Sequence, residues 1–308
     1  MNIVICNIQM SGRTGTEIVT RDLALGLKSR GHQVSVLTQQ ENGPVADELR
    51  AKGVPVVANP SEAGEADIIH INHMESATAL LALTPDVPAI FVCHDATTGH
   101  SYAKTQPSIK SFFGVSEACR QRIAADTGLA LDKIGVMPNY LNLGLIPLRE
   151  ARLPLFPRKW LFVAEKWQSE ILLAKLETVA QQFKANLEVI GPWAGKTVDD
   201  LPAACLGQHL VFASARCAME ASATGAGVIV CDPRGLAGFL TPELWRKAGL
   251  HNLGYGCLAE PCEIDTLAGA LRRWNPWKAS KAGKIIRAER DLSVGLDRIE
   301  SIYRSVIA

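Results

Sequence analysis

Three stretches of this chain hold residues whose types and spacing could do chemistry. The first is Gly12-Arg13-Thr14-Gly15-Thr16-Glu17, a glycine-containing loop between an apolar run and a helical pattern. Such a loop lets backbone approach a ligand, and the positive end of the helix behind it attracts phosphate or developing negative charge. Glu17 stands three residues after Thr14, the spacing of a capping box, so it reads equally as a helix cap. The loop lacks the third glycine of the dinucleotide fingerprint, and the next strand ends in Gln39-Gln40 rather than an acidic ribose ligand, which disfavours nicotinamide cofactors. The second stretch is His94-Asp95, placed after the apolar run Ala89–Cys93, where a parallel strand would aim it at the ligand crevice of an open sheet. His70 and His73 follow a similar run, but no Cys/His spacing supports zinc, and His70 reads as satisfied by local hydrogen bonds. The third is Cys217-Ala218-Met219-Glu220-Ala221, where Glu220 could accept hydrogen bonds from two ribose hydroxyls or serve as a first-turn charge on a helix dipole. Gly191 to Thr197 has three residues between its glycines where a phosphate loop needs four, so it reads as a strand-end loop with Lys196 near a ligand. Gly235 marks a second candidate anion-binding turn.

These residues need a frame, and the pattern supplies an alternating α/β one. Short apolar runs at Asn2–Ile8, Gln33–Thr38, Val54–Ala58, Ala66–Asn72, Ala89–Cys93, Phe112–Val115 and Lys133–Met137 read as buried parallel strands. Val19, Leu23 and Leu27 repeat every four residues, which predicts a helix ending near Arg30 before Gly31. From Leu141 to Arg158 the chain turns proline-rich and loses periodicity. A second series then begins, with strands at Trp160–Ala164, Asn186–Ile190, Leu210–Ala213 and Val228–Cys231, and helices at Ser169–Phe183 and Ala218–Thr224. The expected division is a first domain over 1–147, a linker over 148–158, and a second domain over 159–286. A C-terminal helix over 287–308, with its helical pattern from Arg287 to Val306, is expected to pack back on the first domain. The fold class is α/β, two Rossmann-like domains with parallel sheets facing across a cleft, a common ligand site.

Composition narrows the partners. The 308 residues carry a formal charge of +1, against the basic surplus of a protein devoted to nucleic acid. Residues 1–150 hold 12 Lys and Arg against 15 Asp and Glu, and the remainder is correspondingly more basic, which suits an anionic ligand there. None of the eight cysteines forms a CxxC pair, so they read as reduced thiols in a cytosolic protein. The N-terminus reads as a strand rather than a secretory leader, and no apolar run approaches the ~20 residues of a membrane span. Trp274, Trp277, Lys278, Lys281 and Lys284 read as an ordinary surface with two packed tryptophans, or as a peripheral anchor at the inner face of the cytoplasmic membrane.

Taken in order, the motifs resemble the retaining family 4 glycosyltransferases of GT-B fold over most of the chain. The resemblance rests on Thr14-Gly15-Thr16-Glu17, the βαβ unit through Thr38, Asp67 to Asn72, Cys93-His94-Asp95, Val115-Ser116-Glu117, Pro138-Asn139, and Met219-Glu220-Ala221 through Val228. It implies a nucleotide-sugar as donor substrate, a glycan, lipid-linked or small acceptor, no metal and no further cofactor. It places Gly15 and Thr16 near the donor phosphates and reaction centre, His94 beside the transferred sugar and Glu220 on the donor ribose. Lys166, Lys196, Gly191 and Ala221 fall on the donor side by the same resemblance, and Glu17, Asp95, Ser116 and Asn139 toward the acceptor or cleft. The leaving diphosphate is expected to help deprotonate the acceptor. Three departures stand out. Phe212 occupies the place of a usual donor-site glutamate, Glu165 and Glu170 fall where an Arg and a Lys are usual, and Tyr140 replaces a glycine. They leave a second reading, a catalytically reduced module that binds a sugar or a partner protein.

Overall fold

Valine- and isoleucine-rich runs make β1 (Asn2–Cys6), β2 (Gln33–Leu37), β3 (Val56–Val57), β4 (Ile68–Ile71), β5 (Ala89–Cys93), β6 (Ile109–Gly114) and β7 (Ile134–Val136). In the computed structural model, which describes residues 1–308, they form one parallel sheet of order β3-β2-β1-β4-β5-β6-β7. Parallel neighbours need crossovers, and α1 (Gly15–Ser29), α2 (Pro44–Ala51), α3 (Met74–Leu83) and α4 (Glu117–Thr127) supply four of them. Strand and helix side chains join one buried cluster that includes Ile3, Ile5, Leu23, Leu27, Ile69 and Phe91. The strand order reverses between β1 and β4, so the carboxyl ends of these two strands flank a topological switch point, where open sheets take their ligands.

The second sheet has the order β12-β11-β10-β8-β9 and is built from β8 (Lys159–Val163), β9 (Asn186–Ile190), β10 (Leu210–Ala213), β11 (Gly227–Asp232) and β12 (Gly235–Phe239). Period-two alternation splits its strands between two cores. Trp160, Phe162, Leu210 and Phe212 pack on α5 (Ser169–Gln182), while Leu161, Val163, Val211 and Ala213 pack on the side of α7 (Ala215–Ala223). Between them α6 (Leu201–Leu206) is a short crossover. β12 runs antiparallel to β11, and α8 (Pro242–Ala248), α9 (Ile264–Arg272) and α10 (Pro276–Glu289) follow. The turn into β12 corrects the anion-site reading of Gly235. The Asp232 carboxylate already fills that turn, accepting from Arg234 N at 2.9 Å and from the Arg234 guanidinium at 2.7 and 3.0 Å.

The chain ends in α11 (Leu292–Ile307), which belongs to the first unit, Met1–Tyr140 with Leu292–Ala308; the second unit is Leu141–Asp291. The single helix expected over Arg287–Val306 is therefore two. The Arg290 carbonyl turns away to accept from Leu141 N at 2.7 Å, and α11 starts afresh at Leu292. The first unit also stops short of residue 147, because Leu141 and Ile146 are buried in the second unit's core. On the first unit, Leu296, Ile299 and Tyr303 of α11 join the core. Gly295 permits that approach, since a Cβ there would lie 2.4 Å from Tyr140 Cδ2. Arg30 clamps the helix, reaching Asp297 at 2.6 Å and Glu300 at 3.2 Å. All eight cysteines are free thiols, and no helix is long and apolar enough to cross a membrane.

Candidate functional site

Asn72 organises the switch point of the first unit. It follows β4 directly and is fully buried. Its Oδ1 lies 2.9 Å from His94 Nε2 and 3.2 Å from His70 Nε2, and its Nδ2 donates to Thr20 Oγ1 at 3.0 Å. A carbonyl oxygen only accepts, so both histidines present N–H at Nε2. His70 Nδ1 then accepts from the Tyr303 hydroxyl of α11 at 2.7 Å. Burial pushes the His70 pKa down to about 4, so the ring is neutral at physiological pH. His94 is half-buried just past β5, its ring orientation set from the Asn72 side. Neither Asn72 nor Tyr303 carries a chemical role in the sequence reading. The spacing of two from His70 to Asn72 puts them on one face of an extended chain, which was a usable signal; Tyr303 had none.

A cavity of about 40 Å³ opens beside His94. His70, Asp22 and Asn139 give it polar walls, and Val19, Leu23, Tyr140, Leu292 and Ile299 give it apolar ones. Asp22 is buried and ion-paired with Arg21 at 2.8 Å. Asn139 and His94 are thus brought together, with α1 on one side and α11 on the other.

The first loop is held from within. Glu17 is fully buried, and its two oxygens accept from Gly12 N at 2.6 Å and Thr14 N at 2.7 Å. This completes the capping box of α1 and leaves Gly15 exposed and Thr16 half-buried in the first turn. Asp95 makes a comparable local turn, with Oδ1 accepting from Thr97 N, Thr97 Oγ1 and Thr98 N at 2.6, 2.7 and 3.2 Å. Ser116 caps α4 through Cys119 N at 3.3 Å. His73 bonds Asn7 Oδ1 at 2.9 Å, and no three His, Cys, Asp or Glu side chains converge as a metal site would require.

In the second unit the switch point lies between β8 and β10, and Glu220 stands beside it in the second turn of α7. The helix begins earlier than its sequence pattern showed, so the first-turn reading of Glu220 is corrected. Instead Arg216 donates from Nε to Glu220 Oε1 at 2.7 Å, with both residues buried. Their spacing of four, which puts two side chains on one helical face, was the available signal. Only Ser214 separates β10 from α7, and its hydroxyl donates to Asp232 at 2.6 Å. No loop remains to carry a further glutamate, and Phe212 is core, its ring 5.4 Å from that of Trp160.

Glu165 comes close enough to Glu220 for their charges to interact. Desolvation raises the Glu165 carboxyl above its ordinary range, Lys166 pulls it back, and Glu220 adds to the rise. Lys166 is half-buried, Glu170 exposed in the first turn of α5, and Ala221 fully buried. Gly191 ends β9 with φ 116°, where a Cβ would lie 2.6 Å from the Ala164 carbonyl oxygen. It closes a small loop with Lys196 through hydrogen bonds of 2.7 and 3.2 Å, which leaves the Lys196 side chain exposed.

Residues 13–145 match the family described as Glycosyltransferase Family 4. No curated protein matches the chain significantly. Among solved structures, a glycosyltransferase from Rickettsia africae is similar over 99% of this chain and 98% of its own, at 14% identity and a TM-score of 0.61. The catalytic domain of starch synthase IV from Arabidopsis thaliana, bound to ADP and acarbose, covers 99% of both chains at 11% identity and a TM-score of 0.54. An alpha-glucosyltransferase in complex with UDP and a DNA 13-mer also covers 99% of both, at 10% identity and a TM-score of 0.54. The family match thus lies on the first unit, and the two units together have the fold of the GT-B glycosyltransferases.

Proposed function

We propose that the protein transfers a sugar from a nucleoside-diphosphate sugar to a glycan, lipid-linked or small acceptor, with retention of configuration and without a metal, in the cytosol. The observation that carries this reading is the buried Arg216–Glu220 pair at the switch point of the second sheet. A carboxylate held by a guanidinium keeps its charge and geometry, which suits it to accept from two ribose hydroxyls. Arg216 also brings positive charge to a side of the donor site where Glu165 and Glu170 replace the usual cations. The ADP and UDP bound by two structural neighbours support a nucleoside diphosphate as the leaving group. On the first unit, His94 serves the transferred sugar, held in one tautomer by Asn72, and Gly15 and Thr16 offer the N-terminal turn of α1 to the phosphates.

A thermal-shift screen against UDP, GDP, ADP, CMP, dTDP and their sugars tests this reading. Ligand at ~100 times Kd adds about 2.7 kcal/mol of stability. A shift with one base that Glu220→Ala abolishes, followed by turnover of the matching sugar donor, supports the proposal. The absence of a glutamate-bearing loop between β10 and α7 favours the second reading, a module that binds without turnover. Stable binding of a sugar or protein with no nucleotide affinity would establish that reading instead.

A further inference from the structure

Residues 272–287 contain six Lys and Arg and no Asp or Glu, and residues 151–160 contain three and none. The fold brings these two segments together at the amino-terminal edge of the second sheet, the edge opposite Glu220. Trp274 Nε1 donates to Pro154 O at 3.2 Å, and Trp160 Nε1 donates to Pro157 O at 3.1 Å. Two core indoles thus pin the backbone on either side of Leu155-Phe156. Those two side chains are nevertheless 62% and 72% exposed, and Trp277 is 67% exposed.

On α10, Ala279, Ala282, Gly283 and Ile286 face inward, so the outward stripe is Trp277, Lys281 and Lys284 at helical spacing. Gly283 sets how closely this helix packs, because a Cβ there would lie 2.3 Å from Ser222 O. Arg158, Lys159, Arg272 and Arg273 are exposed around the apolar tips. The positive field also acts on His209 at the same edge. Desolvation lowers its pKa first, and the charges of Arg149 and Lys159 lower it further.

We infer that this edge is a docking surface for an anionic lipid bilayer. Exposed Leu, Phe and Trp tips within a cationic ring match an interface whose headgroups are negative and whose next layer is hydrocarbon. A second copy of the chain fits poorly: Glu243 pairs with Lys278 at 3.6 Å, but the other named cations of the ring have no carboxylate within their own segments, so a two-fold contact would set one mainly cationic ring against another. The inference is independent of the donor reading, because it concerns the opposite edge of the sheet and needs no nucleotide.

The test is sedimentation of the full chain with vesicles of phosphatidylcholine alone and of an equal mixture with phosphatidylglycerol. Binding is expected only to the mixture, and it weakens as salt shortens the screening length. Lys281→Glu with Lys284→Glu should weaken it by at least about 25-fold, taking about 5-fold for each cation lost near an anionic surface. Phe156→Ser with Trp277→Ser should weaken it too, and Trp277→Phe should remove quenching of tryptophan fluorescence by brominated lipid. Unchanged thermal unfolding of these exposed-site variants separates lost binding from lost folding. No binding to the mixed vesicles at low salt would overturn the inference, as would binding indifferent to both double variants. So would equal affinity for duplex DNA, or self-association on light scattering that the same variants abolish.

Discussion

Replacing Asn72 with leucine would remove the one side chain that joins His70, His94 and Thr20 while keeping its branched heavy-atom skeleton. Three hydrogen bonds are lost, but they are not equivalent. His94 is half-buried, so water can take over its Nε2–H. His70 is 2% exposed, and its Nε2–H would be left without an acceptor. A stranded buried donor costs about 1–3 kcal/mol, and the lost Thr20 bond about 0.5–1.5 kcal/mol more. Asn72→Leu should therefore destabilise the first unit by roughly 2–4 kcal/mol, or about 4–16 °C in the melting transition of a unit of this size. On the role proposed for His94, turnover should fall further than stability accounts for, because a catalytic group displaced by ~1 Å can lose about 100-fold. His94→Ala is the companion variant. It should lose comparable turnover with much smaller destabilisation, since it vacates a half-exposed position. Calorimetry and steady-state kinetics on both variants read the two quantities separately. If Asn72→Leu melts with the parent protein and turns over donor at the parent rate, the reasoning that Asn72 sets the site is refuted.

Three further outcomes follow from the geometry. His70 and His73 both have pKa values lowered to about 4 from an ordinary 6.5, desolvation being the main cause, so between these values the unfolded chain binds protons that the native chain does not. Stability of the first unit should thus be full above pH 6.5 and fall as pH drops toward 4; urea titrations showing no loss between neutral pH and pH 5 would contradict this. The Glu165 pKa is raised above 4.5, so its ionisation opposes both folding and nucleotide binding as pH rises through the shifted value, and Glu165→Gln should flatten the pH dependence of nucleotide affinity measured by calorimetry. Gly295→Ala sets a Cβ 2.4 Å from Tyr140 Cδ2 and should destabilise the first unit by about 1–3 kcal/mol through overpacking, which a loss of α11 protection in hydrogen exchange would report.

The sequence by itself determined the parallel strands and the class of fold, but not the antiparallel β12. Runs such as Asn2–Cys6, Ala89–Cys93 and Gly227–Asp232 are buried almost throughout on both faces, and a segment that must lose water on both sides is mainly apolar. It also determined the loop before α1, because a cap and its glycine are local chemistry within six residues. Helices without an apolar stripe were harder to read. In α3, Met74, Ala77, Leu80 and Leu81 are buried, but Leu83 lies 63% exposed at its end, so no clean period marks it.

Tertiary structure alone decided the distant partners of the site residues. Local spacing offered Glu220 as a first-turn charge, and only the true start of α7 turned it toward Arg216. His94 was visible beside its strand, but its tautomer depends on Asn72, which lies 22 residues away in sequence, and the ring next to it on Tyr303, which lies 233 residues from His70. Hydrogen bonds across such separations follow from strand order and from where α11 docks, which no local pattern of residues encodes.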